Sequence, residues 1–215
     1  MYVLHYWPDS ASLIVRLVLE ELGQPYEARL IDRAAGALNS PAYRALNPLG
    51  QIPAMETPDG PMFETAAILL YLCDRHPGLV SGQGLAPAPG DRDRAEFLKW
   101  LLFTSTNIHP TLLQLFYPDR TAGAENAAAV RSHAHARMTT LLEVLEAAGP
   151  GILSAGRPTA LGYYLAVLLR WIAGDFPSAA YPNLHAMLRY LEARPAALTV
   201  ARAENLGVVI FSDPD

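Results

Sequence analysis

The 215-residue sequence has one cysteine, Cys73, and one lysine, Lys99. A single thiol excludes an intrachain disulfide, and a reducing cytoplasm is the expected compartment. No Cys-x-x-Cys follows the first apolar run, which removes a dithiol reductase. Lys and Arg together number 16 against 21 acids, a net charge of −5. The basic residues are scattered, so the stripe that tracks a phosphate backbone is missing and nucleic acid is not an expected partner. No apolar run reaches the ~18 residues of a membrane span. The strongest, "LGYYLAVLLRWIAG" (161–174), is too short and contains Arg170. "MYVLHYW" at the start lacks the basic and small-residue signature of a secretory signal, and no membrane association is expected.

What remains is an ordinary globular composition, 51% hydrophobic and 17% charged, in a chain long enough for one or two domains. "YVLHY" (2–6) reads as a buried strand. Leu13, Ile14, Leu17, Val18 and Leu22 then recur at helical period, and Gly23 with Pro25 stops the helix. "YEARLI" (26–31) reads as a second strand, and a weak, irregular helical piece follows near Pro41 to Leu46. Strands at 54–57 and 61–64 flank Pro58-Asp59-Gly60, a hairpin signal, ahead of a helix from Thr65 to about Arg75. The order implies a parallel βαβ unit plus an antiparallel hairpin, hence a mixed four-stranded sheet with helices on its faces.

"PGLVSGQGLAPAPG" (77–90) has seven Gly or Pro and no charge, the composition of a linker. Beyond it the chain reads as helices near 91–117, 123–148, 159–173 and 182–193, with a short piece near 196–203. The expected organisation is an α/β domain at 1–76, a linker at 77–90 and an all-helical domain at 91–215.

The chemistry concentrates in "QIPAMETPDGPMFET" (51–65). Proline within a sheet segment belongs at an edge or an irregularity. Thr65 opens a helix, where free N–H groups and the dipole favour an anion, while a capping role would account for Thr65 alone. The longer stretch "NPLGQIPAMETPDGPMFETAAILLYLCDRHP" (47–77) resembles the glutathione-site half of the cytosolic glutathione transferases, and the likeness in element order extends over nearly the whole chain. It implies a thioredoxin-like first domain and an all-α helical-bundle second domain. It also implies a glutathione-binding set of Gln51, Ile52, Pro53, Glu64 and Thr65, with Pro53 cis and the Ile52 backbone pairing with the cysteinyl part of glutathione. Glu64-Thr65 would receive the γ-glutamyl end.

In that family the donor to the glutathione thiol lies just after the first strand, here "HYWPDSASLIVRLVLEELG" (5–23). Matching the following helix puts it between Asp9 and Ser12, with Ser10 the first choice and Ser12 the second. Both are also good helix-capping types. Ala11 stands where a cysteine-type relative has its cysteine, which excludes thiol–disulfide chemistry there. Tyr6 is the tyrosine-type alternative; inside the strand, it is read as packing or bordering the site.

The resemblance also points to Thr104, Asn107 and His109 as walls of an electrophile site, with Trp7, Phe116 and Tyr117 as apolar candidates beside them. Pro110 predicts a kink in the same helix. His133 and His135, two apart, fall on different helix faces, and no metal is expected. In "PTALGYYL" (158–165) the family's Ser/Thr-x-x-Asp capping box keeps Thr159 but has Gly162 at the acidic position, a loss of about 1 kcal/mol.

The resulting expectation is a cytoplasmic, homodimeric, bacterial serine-type or beta/theta-like glutathione transferase, with glutathione as co-substrate. It would conjugate the thiolate to a small hydrophobic electrophile or reduce organic hydroperoxides. The alternative is a non-catalytic interaction or stress-response module on the same fold.

Overall fold

The computed structural model describes residues 1–78, 84–149, 157–212 and 214. The chain begins β1 (Tyr2–Tyr6), α1 (Ser12–Glu21), β2 (Tyr26–Leu30), α2 (Pro41–Leu46), β3 (Ala54–Thr57), β4 (Gly60–Phe63) and α3 (Thr65–Arg75). It continues with α4 (Arg94–Phe103), a π-helical turn (Thr104–Ile108), α5 (His109–Phe116), α6 (Asp119–Ala122) and α7 (Ala127–Ala148). Then follow α8 (Ala160–Ile172), α9 (Pro182–Glu192) and α10 (Pro195–Glu204). Contacts divide the chain into two compact units, Met1–Arg92 with Ala193–Val208, and Asp93–Glu192 with Val209–Asp215.

In the first unit the sheet order is β2-β1-β3-β4, with β1 parallel to β2 and antiparallel to β3, and β3 antiparallel to β4. This is the mixed sheet expected from the strand and turn pattern. The hairpin closes through Pro58-Asp59, where the Thr57 hydroxyl donates to the Gly60 carbonyl at 2.7 Å and accepts from Asp59 N–H at 3.0 Å. α2 is short but well formed. Ser40 caps it by accepting from Tyr43 N–H at 3.1 Å, and Pro41 takes the first turn.

α1 ends in a Schellman motif: Gln24 N–H reaches the Leu19 carbonyl and Gly23 N–H the Glu20 carbonyl, both at 3.0 Å. Gly23 has φ +61, the left-handed conformation that this ending requires. The buried face of α1 is wider than the expected stripe, because Val15 and Leu19 are also fully buried. α1 packs against β1, α3 and α10, so it is covered on more than one side. Residues 195–204, expected within the helical half, group by contact with the first unit. Ala196, Ala197, Val200 and Ala201 form the buried side of α10. Of the expected linker 77–90, residues 79–83 lie outside the described residues, while Leu85 and Ala86 are buried.

The second unit is helical. α5 packs along α7, and α8 touches α4, α5 and α9. α8 is buried over almost its whole length, with Thr159 capping it by accepting Gly162 N–H at 2.9 Å. The expected kink lies just ahead of Pro110. His109 N–H bonds the Thr104 carbonyl five residues back, so the backbone bulges at Thr104–Ile108 before α5 starts. Glu192, at the end of α9, accepts the Phe211 and Ser212 N–H groups at 3.1 Å and anchors the terminal segment. Among the described residues no helix is long and apolar enough to cross a membrane, and no three metal-type side chains gather.

Candidate active site

The register of the sheet assembles the site of the first unit. His5 near the end of β1 pairs with Ala54 at the start of β3, and Ala54 pairs with Phe63 at the end of β4. One row of residues therefore places three chain exits at the same end of the sheet. They are the turn 7–11 after β1, the segment Gln51–Pro53 before β3, and Glu64-Thr65 after β4. The sequence spaces these segments far apart; antiparallel pairing brings them together.

In the first segment both candidate serines are tied to Trp7. Ser10 Oγ donates to the Trp7 carbonyl at 2.7 Å and lies 2.9 Å from Ser12 Oγ. Ser12 Oγ accepts Trp7 N–H at 3.3 Å and reaches the Trp7 carbonyl at 3.2 Å. Burial separates the two. Ser12 is completely inaccessible as the first residue of α1, whereas Ser10 is partly exposed. Neither caps α1, whose cap position is Ala11 without a side-chain bond. Trp7 is half-buried with the Arg33 guanidinium 5.5 Å from its ring. Tyr6 lies under the Arg16 guanidinium at 5.1 Å, a packing role.

In the second segment the Ile52–Pro53 peptide bond is cis. Pro53 is buried, and among the described residues the Ile52 N–H and carbonyl have no hydrogen-bond partner. The preceding Gln51 carbonyl is held twice, by the Tyr43 hydroxyl at 2.8 Å and by Asn47 Nδ2 at 2.9 Å. Asn47 Oδ1 also accepts Leu49 N–H at 3.1 Å. Burial pushes the Tyr43 phenol up to about 12, so it stays a donor. Ile31, Tyr43 and Ala54 form a small core against which Ile52 packs. Gly50 closes the loop with φ +63. A Cβ there would lie 2.7 Å from the Leu38 carbonyl oxygen, which only glycine avoids.

In the third segment Glu64 occupies the cap position of α3 with φ +71, a left-handed conformation that a non-glycine residue adopts only at a cost. Its side chain makes no capping bond, and Thr65 is the first helical residue. Thr65 is therefore not the cap. The first turn of α3 presents N–H groups without a side-chain acceptor from Glu64, in a helix of 11 residues.

The residues expected to face an electrophile in the helical half belong to the second unit. Thr104 is fully buried and its hydroxyl donates to the Trp100 carbonyl at 2.9 Å. Asn107 Oδ1 accepts from Arg137 at 2.9 Å, and Arg137 also reaches Thr111 at 3.2 Å. His109 Nδ1 lies 2.9 Å from the Tyr164 hydroxyl, with Trp171 beside the ring at 6.3 Å between centroids. Burial pushes its imidazole down to about 4.

The family model "Glutathione S-transferase, N-terminal domain" matches residues 10–75, which take in Ser10, Ser12, the Gln51–Pro53 segment and Glu64-Thr65. Glutathione S-transferase GST-4.5 of Xanthomonas campestris is 35% identical over 76% of this chain and 79% of its own. The chain belongs to the glutathione S-transferase family. Glutathione S-transferase GstA of Escherichia coli O157:H7 is 29% identical over 94% of this chain and 98% of its own. A sphingomonad glutathione S-transferase solved with glutathione matches with a TM-score of 0.78 and 31% identity, over 95% of this chain and 100% of that one.

Sequence reasoning did not single out Tyr43, Asn47 or Glu204. Asn47 heads the Asn-Pro turn signal before Gly50, so it was in principle readable. Glu204 carries no local signal.

Proposed function

We propose that this chain is a glutathione transferase that joins the glutathione thiolate to a small hydrophobic electrophile or uses it to reduce organic hydroperoxides. The observation that carries the reading is the row His5–Ala54–Phe63, which gathers the serine turn, the unpaired Ile52 backbone and the Glu64-Thr65 helix start at one sheet end.

Glutathione lies along Ile52 in an antiparallel peptide pairing, using the N–H and carbonyl that the sheet leaves free. The γ-glutamyl carboxylate meets the start of α3, and the Glu64 carboxylate takes the α-ammonium as a charge-assisted pair. Ser10 is the thiol donor. A free thiol of this kind ionises near pH 8.5, so at neutral pH a hydrogen-bond donor to sulfur raises the thiolate fraction. Ser10 Oγ donates to the Trp7 carbonyl in this structure, so its proton turns from that oxygen to sulfur when glutathione binds, and Ser12, which accepts Trp7 N–H, then supports Ser10 by donating to its Oγ. The thiolate then attacks the electrophilic carbon, the new C–S bond forms and the leaving group departs with its electron pair. Glutathione is the co-substrate, a homodimer the assembly and the cytoplasm the compartment.

Calorimetry with reduced glutathione and turnover of a chlorodinitrobenzene-type electrophile test the reading. Heat of association and conjugate formation are expected. Ser10→Ala should raise the apparent pKa of the bound thiol by about one unit, roughly a tenfold loss of thiolate at neutral pH. Absence of any heat at millimolar glutathione overturns the site.

A further inference from the structure

Asp9, the residue before the proposed thiol donor, has φ +48. Asp tolerates this conformation better than most non-glycine residues, and here a side chain from a distant helix bonds its amide. Its N–H donates to Glu204 Oε2 at 2.9 Å, a bond spanning 195 positions of sequence. The other oxygen of the same carboxylate accepts from Arg16 at 3.1 Å. The Glu204 side chain is wholly inaccessible and that of Arg16 is 12% exposed. Arg16 also donates through Nε to the Tyr26 hydroxyl at 3.0 Å, and Tyr26 donates to Glu20 at 2.6 Å. A buried acid at the end of α10 is thus neutralised by α1 and spends its second oxygen on one backbone amide of the serine turn. Its geometry exceeds what docking α10 on α1 requires, because Glu21 and Arg194 already pair at the opposite end of the two helices.

We propose that Glu204 is a positioning residue for the thiol donor: held by Arg16, its carboxylate receives Asp9 N–H and fixes the left-handed turn that presents the Ser10 hydroxyl. The inference rests on the reading of Ser10 as that donor. An amide bonded to a carboxylate is among the stronger hydrogen bonds, and the accepting side chain is wholly inaccessible to solvent. Burial pushes the Glu204 carboxyl up, and the Asp9 N–H and Arg16 oppose that shift. Downstream of Asp9 the turn is completed locally, with the Ser10 carbonyl accepting Leu13 N–H at 2.8 Å and Ser10 Oγ returning to Trp7. Removing the Glu204 acceptor frees the Asp9 peptide to leave the left-handed region and carries Ser10 with it.

The test compares the apparent pKa of the glutathione thiol in the binary complex, read from thiolate absorbance, across five forms of the full chain: wild type, Ser10→Ala, Glu204→Gln, Arg16→Met/Glu204→Met, and that pair combined with Ser10→Ala. Replacing both partners of the buried pair leaves no unpaired charge, so the double variant keeps its fold, as a melting curve verifies. It is expected to raise the thiol pKa by about one unit, roughly a tenfold loss of thiolate, and to lower kcat more than it raises KM. Glu204→Gln keeps an oxygen for Asp9 N–H and should recover most of the shift. In the Ser10→Ala background the pair should add nothing, because both act through the same hydroxyl. A thiol pKa unmoved by the methionine pair, while Ser10→Ala moves it, overturns the role of Glu204. An unmoved value in Ser10→Ala itself sinks the donor assignment, and an equal added shift in that background shows Glu204 acting on sulfur by another route.

Discussion

The Tyr43 hydroxyl donates to the Gln51 carbonyl at 2.8 Å, fixing the peptide that precedes the unpaired Ile52 backbone. Asn47 grips the same oxygen, so the two side chains share one acceptor. Tyr43→Phe removes one donor and leaves the oxygen bonded by Asn47. Its expected cost is about 1 kcal/mol of stability, with a few-fold rise in KM for glutathione and kcat nearly unchanged. Asn47→Ala also abandons Leu49 N–H and should lose about 2 kcal/mol. Urea melts and glutathione saturation curves check both, and a larger effect from Tyr43→Phe than from Asn47→Ala would contradict this ranking.

Glu64 combines a left-handed backbone with an exposed carboxylate. If the strain serves ligand binding, structure and function should separate there. Glu64→Gly is expected to stabilise the ligand-free protein by about 1 kcal/mol while weakening glutathione at least tenfold. Thermal melts with and without glutathione read both effects at once; loss of stability without loss of affinity would contradict the assignment.

His109 makes stability depend on pH. Its folded pKa of about 4 lies below the ordinary 6.5, so the unfolded chain takes up a proton between those values that the folded chain refuses. Its contribution is present above pH 6.5, falls as pH drops through the window and is spent near pH 4. The total is of order 3 kcal/mol. Denaturant titrations at pH 7 and pH 4.5 should show this loss in the wild type and a much smaller one in His109→Gln. An identical pH slope in both would exclude His109 as its source.

Restoring the acid at position 162 should not help. A Cβ at Gly162 would lie 3.1 Å from Thr159 Oγ1 and 3.2 Å from Leu191 Cδ1. The half of the capping box that matters, Thr159 accepting Gly162 N–H, is already present. Gly162→Asp would need Leu191 to give way, and a loss of about 1–2 kcal/mol is expected. A rise in melting temperature would show that α9 moves aside cheaply.

Much of this molecule was readable because its local signals agree. The Leu13–Leu22 stripe, the Gly23 stop and the Pro58-Asp59 turn each specify an element from neighbouring residues. The sheet order then follows from strand spacing. What escaped reading depends on distant partners. Val15 and Leu19, off the expected stripe, are buried because β1, α3 and α10 together cover more than one side of α1, and nothing in "PAALTVARAE" announces that α10 is one of these partners. The choice between Ser10 and Ser12 also stayed open in the sequence, since both suit a helix start; the partial exposure of Ser10 against the full burial of Ser12 supports the proposal of Ser10 as donor. The bulge at Thr104–Ile108 was foreshadowed by Pro110, whose missing N–H leaves the turn ahead of it without one helical bond.

The placement of α10 has a consequence for biosynthesis. As the polypeptide leaves the ribosome, residues 1–92 can pair their strands, yet the outer face of α1 stays bare until Pro195–Glu204 have emerged. Closing that ~180-residue loop is a late and entropically demanding event. Nascent chains arrested before that point should expose the α10-facing side of α1 to chaperones, with the serine turn still unset.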